Sequence, residues 1–163
     1  MPGKLAKLGR EKGVRHMNKP IKRRLRLTFQ TNIELQGELD SYEFTTDGEL
    51  YHKGTQDYLR FTEKFGVDES VQTTMKWDGE ELTLIRQGDV LMRQTFVSNK
   101  ETFGRYVTSE VSWETKAETE VVLVQWPTFQ KPRGRIYIRY RFWIAGQETG
   151  SHEIRLKLEE ADD

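Results

Sequence analysis

Arg135-Ile-Tyr-Ile-Arg-Tyr-Arg-Phe-Trp-Ile144 decides the fold. Ile136, Ile138, Tyr140, Phe142 and Ile144 fall on one face, and Arg135, Tyr137, Arg139 and Arg141 on the other, which is the period of an extended strand. Ala145-Gly146-Gln147 reverses the chain, after which Ile154, Leu156 and Leu158 alternate with Glu153, Arg155, Lys157 and Glu159. The same alternation runs upstream to Leu25. Leu25, Leu27, Phe29, Ile33 and Leu35 share a phase opposite Arg26, Thr28, Gln30, Asn32 and Glu34. Tyr42–Thr46, Tyr58–Phe65, Val71–Trp77, Glu81–Arg86, Val90–Val97 and Thr102–Ser109 read as further strands. Asp47-Gly48 reads as either a turn or a bulge, and Asp78-Gly79 as a two-residue hairpin turn with both central residues at positive φ. Val111–Trp126 is less regular.

The expectation is an all-β chain of nine or ten antiparallel strands, with no helix and no internal repeat. Closing the meander into a barrel removes its exposed edges. A barrel of eight or more strands is either filled by its own side chains or holds one small ligand.

The 163 residues suffice for one domain, at 35% hydrophobic and 32% charged, and 18 aromatic side chains supply a thin core. No run of 18 apolar residues occurs, so no helical membrane span is expected. The absence of cysteine excludes disulfides, thiolate metal sites and thiol catalysis, and makes a reducing cytoplasm the natural location.

A net charge of zero conceals a division. Residues 1–26 hold ten basic side chains against the single acid Glu11, so the remainder of the chain is acidic. Residues 1–24 are accordingly expected to form a disordered basic arm, followed by one barrel domain over 25–163. The arm reads either as a solvated tail or as the weak nucleic-acid contact of an RNA- or ribosome-associated accessory protein, through Arg15, Lys22, Arg23 and Arg24, which would attract phosphates without reading sequence. Met17 stands as an alternative start.

Glu43-Phe44, Gly48, Tyr58-Leu-Arg-Phe-Thr-Glu63, Thr73-Thr74, Arg86-Gln-Gly88, Phe96 and Arg105-Tyr106-Val-Thr108 carry a resemblance. In their order and spacing the chain resembles the YwiB-like family of small bacterial proteins, domains of unknown function with a calycin-type, lipocalin-like β-barrel. The resemblance extends from about Leu27 to Glu159. It departs at Glu110-Val111, where the family tends to place an aromatic and a glycine, and at Val121–Pro132, which is longer and more apolar. It implies a fold and brings no substrate, cofactor or catalytic residue.

The residues themselves point away from catalysis. No nucleophile elbow, phosphate loop or H-E-x-x-H helix is present, so no enzyme activity and no cofactor are expected. His16, His52 and His152 are far apart, and the latter two, near strand ends, read as surface histidines rather than metal ligands. Arg135, Arg139 and Arg141 with Tyr137 and Trp143 form a basic, aromatic stripe, read as a charged outer face or as a stacking surface for nucleic acid.

Strand phase singles out one interior site. Glu63 shares its face with Leu59, Phe61 and Phe65, and Arg86 shares its face with Leu82 and Leu84. Two opposite charges on inward phases are expected to meet, because an unpaired buried charge is costly. Tyr106 is expected to add a hydroxyl. The structural reading is a buried pair that fixes register. The functional reading is that Arg86 and Tyr106, beside Glu63, meet the anionic head of a small amphipathic ligand, as an arginine and a tyrosine do in some calycins.

Overall fold

A computed structural model describes residues 21–65 and 69–161. These form ten strands: β1 (Arg23–Leu35), β2 (Glu38–Lys53), β3 (Gln56–Phe65), β4 (Glu69–Trp77), β5 (Leu82–Gln87), β6 (Leu91–Phe96), β7 (Lys100–Val107), β8 (Ser112–Gln125), β9 (Arg133–Ile144) and β10 (Gln147–Glu160). Each pairs antiparallel with the next, and β10 returns to β1 with Leu27 opposite Leu158, closing the barrel. Among the described residues there is no helix. Among these residues, therefore, no helix is long and apolar enough to cross a membrane.

The period of two becomes an inside and an outside. One end of the barrel is solid: Leu25, Leu27, Leu50, Leu59, Met75 and Leu82 are fully buried there. Phe96, Ile136, Ile138, Leu156 and Leu158 complete the plug. Each large apolar side chain so buried is worth about 1.5–3 kcal/mol.

Local departures from regular pairing have identifiable causes. Gly48 lies inside β2 with no register break, so Asp47-Gly48 is neither a turn nor a bulge. The glycine is needed for close approach, since a Cβ there would meet the Arg60 carbonyl oxygen at 2.8 Å. The Asp78-Gly79 hairpin exists, but its loop spans four residues between the paired Trp77 and Leu82. Only Gly79 has positive φ. Asp78 organises the turn with its own carboxylate, which accepts from the backbone N–H groups of Glu80 at 2.8 Å and Glu81 at 2.7 Å. Those bonds hold the Asp78 carboxyl below its ordinary pKa.

In β8 the register slips at Glu120, between Thr119 opposite Tyr140 and Val121 opposite Arg139. This bulge shifts the inward phase by one residue, from Thr115, Ala117 and Thr119 to Val122 and Val124, and accounts for the irregular pattern there. Between β6 and β7 registered pairing stops at Gln94 opposite Gly104. The buried Gln94 side chain takes over, its amide donating to the Thr95 carbonyl at 2.9 Å and the Thr102 hydroxyl at 3.2 Å, and its oxygen accepting from Thr115 at 2.6 Å.

One seam stays open. Registered pairing of β2 with β3 begins at Gly48 opposite Phe61, so among the described residues Glu38–Asp47 is paired with β1 alone.

Of the expected basic arm, residues 1–20, including Arg15, lie outside the described residues. β1 already begins at Arg23, so Arg23 and Arg24 belong to the strand rather than to an arm.

Candidate functional site

The inward phases that fill one end of the barrel leave the other hollow. A chamber of about 410 Å3 lies at the end where β1 joins β2 and β9 joins β10. Phe29, Ile33, Leu84, Met92, Phe142 and Ile144 form its apolar wall. Its size lies within the range of ordinary small-molecule pockets.

Glu63 and Arg86 meet in its wall. β3 delivers Glu63, only 2% exposed, two residues beyond Phe61, and β5 delivers Arg86 two beyond Leu84. Nη2 of Arg86 donates to Oε2 of Glu63 at 3.1 Å, and the Thr73 hydroxyl donates to Oε1 at 3.0 Å. Both carboxylate oxygens are therefore occupied. Arg86 is not so satisfied: among the described residues its Nε is buried and has no hydrogen-bond partner. Beyond the bond to Glu63, the guanidinium makes no hydrogen bond among the described residues.

Tyr106 lines the same chamber, but its ring stacks on Trp113 at 5.8 Å and it makes no hydrogen bond to Glu63 or Arg86. Thr73 fills the role expected of Tyr106. Its signal was its phase, inward with Met75 on β4. Tyr42 also lines the chamber; burial and the Glu63 charge raise its hydroxyl pKa while Arg86 lowers it.

His152 corrects the sequence reading. It is a half-buried wall residue of β10, opposite Ile33 and Tyr140, and not a surface histidine. Its ring stacks on Tyr140 with centroids 5.0 Å apart, and its Nε2 lies 2.8 Å from the Thr149 hydroxyl. Burial pushes its pKa down to about 4, so the ring is neutral at pH 7. Its signal in the sequence was a phase shared with Ile154, Leu156 and Leu158. Thr149 reaches the ring because the β9–β10 register breaks between Glu148 and Gly150, making Thr149 the extra residue of a bulge. Gly150 permits that geometry with φ +122, where a Cβ would lie 2.3 Å from the Glu34 carbonyl oxygen.

Outside the barrel, charges meet charges. Lys22 lies 3.4 Å from Glu49, Arg24 lies 2.9 Å from Asp47, and Arg23 bonds the Pro127 carbonyl at 2.7 Å and the Glu160 carboxylate. In the β9 stripe Arg135 donates to Gln125, Arg139 faces Glu120, and Arg141 faces Glu118 and Glu148. Tyr137 donates to Glu153 at 2.7 Å, while Lys116 and Arg141 lie against Trp143. This is a charge-laced outer face, not an unneutralised phosphate track. His52 is exposed and bonds Asp57, whose other oxygen accepts from the Trp126 indole at 2.7 Å. Among the described residues no three His, Cys, Asp or Glu side chains converge as metal ligands would.

Comparison with known proteins agrees with this architecture. A family model described as a domain of unknown function (DUF1934) matches residues 27–156. The uncharacterised beta-barrel protein YwiB of Bacillus subtilis (strain 168) is 28% identical over 133 residues, covering 82% of this chain and 91% of YwiB. The crystal structure of the Bacillus subtilis ywiB protein superposes with a TM-score of 0.76 at 26% identity, covering 90% of this chain and 99% of that one.

Proposed function

This chain belongs to the family of domains of unknown function DUF1934, and from that premise we propose that it is a non-catalytic binding protein whose chamber takes a small amphipathic carboxylate. The observation that carries the reading is the Arg86 guanidinium, 35% exposed in the wall of a mainly apolar chamber and hydrogen-bonded among the described residues to Glu63 alone. A hydrogen bond from such a charged donor is worth about 1.5–3 kcal/mol to a ligand oxygen that accepts it.

The planar guanidinium can hold Glu63 with one N–H and a ligand oxygen with another. Because Glu63 already balances Arg86, affinity comes mainly from the apolar wall and from directed hydrogen bonds. A chamber of 410 Å3 accommodates about fourteen water-sized groups at about 30 Å3 each, the scale of a medium-chain acid such as decanoate. Nucleic-acid binding draws no comparable support, since Lys22, Arg23 and Arg24 each face a barrel carboxylate.

Native mass spectrometry of the purified protein, with titration of decanoate against a fluorescent apolar anion, tests the proposal. Displacement by decanoate, lost in the Arg86→Met, Glu63→Gln double variant, is the expected result. No co-purified molecule and no displacement would overturn it.

A further inference from the structure

The chamber offers a second polar function, on the wall opposite Arg86. In the cyclic strand order β5 and β10 are five strands apart in either direction, and Arg86 and His152 line the same chamber from these opposite strands. The Tyr140 ring, stacked on His152, lies near enough to Arg86 to feel its charge; burial holds the Tyr140 hydroxyl well above its ordinary pKa and Arg86 partly offsets this. Guanidinium and imidazole therefore serve the same part of the chamber.

Local hydrogen bonding fixes the histidine tautomer. A threonine hydroxyl has one proton to give. The Phe142 carbonyl, 3.1 Å from the Thr149 hydroxyl, can only accept, so for both contacts to be hydrogen bonds Thr149 gives its proton to that carbonyl and accepts from His152. Nε2 of His152 must then carry the ring proton, and Nδ1 is left with a bare lone pair. Among the described residues Nδ1 has no hydrogen-bond partner. The bulge at Thr149 and the positive φ of Gly150 hold this arrangement in place.

We infer that the chamber selects a hydroxylated carboxylate, whose acid group accepts from an exposed Nη N–H of Arg86 while its hydroxyl donates to Nδ1 of His152. The inference rests on the proposed ligand site and narrows it. A plain fatty acid satisfies only Arg86. An acid with a hydroxyl near its head satisfies both walls, and its remaining chain lies against Phe29, Leu84 and Met92.

The test pairs a ligand comparison with a readout that needs no ligand. Nitrogen-15 NMR of the free protein should show His152 with its proton on Nε2, and Thr149→Val should lose that bias. 3-Hydroxydecanoate should bind about five- to tenfold tighter than decanoate, the advantage of one neutral hydrogen bond. In His152→Phe, which keeps the aromatic stack, the two acids should bind alike. Should that variant fail to fold, Thr149→Val serves instead, and the preference should shrink there too. Equal binding of both acids to the wild type, or a proton found on Nδ1, overturns the inference while leaving the carboxylate site standing. Failure of both acids to bind overturns both readings.

Discussion

Replacing Arg86 with Met should destabilise the barrel by about 3–5 kcal/mol, the range for stranding one member of a buried ion pair. Glu63 is 2% exposed, and without the 3.1 Å contact from Arg86 only the Thr73 hydroxyl, at 3.0 Å, would satisfy its charge. Methionine retains most of the arginine stem, so little of the loss should come from packing. For a chain of this size each kcal/mol lowers Tm by about 2–4 °C, giving a fall of about 6–20 °C. Adding Glu63→Gln removes the stranded charge yet keeps an oxygen for Thr73, so the double variant should recover most of the loss. Urea denaturation of the wild type, both single variants and the double variant, read as midpoint shifts at constant slope, gives the coupling energy directly. An Arg86→Met variant within about 0.5 kcal/mol of wild type would refute the reasoning, because that is the scale of an ordinary surface substitution.

His152 makes stability depend on pH. Its folded pKa, about 4, lies below the ordinary 6.5, so between those values the unfolded chain binds a proton that the folded barrel refuses. Stability should therefore fall as pH drops from 6.5 towards 4, by about 3 kcal/mol in all, and denaturation midpoints of His152→Phe should lack that component. Gly150→Ala should cost about 3 kcal/mol or more, since it combines a positive φ with a Cβ 2.3 Å from the Glu34 carbonyl oxygen; thermal melts would show it, and an unchanged Tm would contradict the close approach. Hydrogen exchange should be fast at alternate amides of Asp40–Asp47, on the side facing β3, and slow at those bonded to β1. Uniform protection along β2 would mean that the seam is shut.

Where one rule dominated, the sequence was readable. Alternation along Arg135–Ile144 and Glu153–Glu159 identified β9 and β10, and the same rule turned Glu63 and Arg86 inward and brought them together. Where a second device overrode alternation, it was not. A single extra residue at Glu120 moved the inward phase of β8 and blurred its period. The hairpin at Asp78-Gly79 was legible as a reversal, but Asp78 bonding to its own loop chose a different turn. His152 lies on the legible phase of β10, but its nearness to a turn argues for a surface residue, and the two signals conflict at that position. The chamber itself has no one-dimensional signature. It exists because side chains from strands distant in sequence fall short of one another at one end of the barrel, a matter of volume rather than order.

The pairing of the first strand with the last also shapes how the molecule is made. While the ribosome is still working towards Gln147, β1 lacks one of its two partners and the inner face of the sheet has nothing to close upon. Synthesis from the end of β1 to the start of β10 takes roughly 5–20 s at typical rates, a long time for an apolar surface to stay open. A nascent chain stopped short of β10 presents two sticky edges, on β1 and β9, and is material for chaperones or aggregates. β10 is thus the strand whose arrival converts a liability into a container.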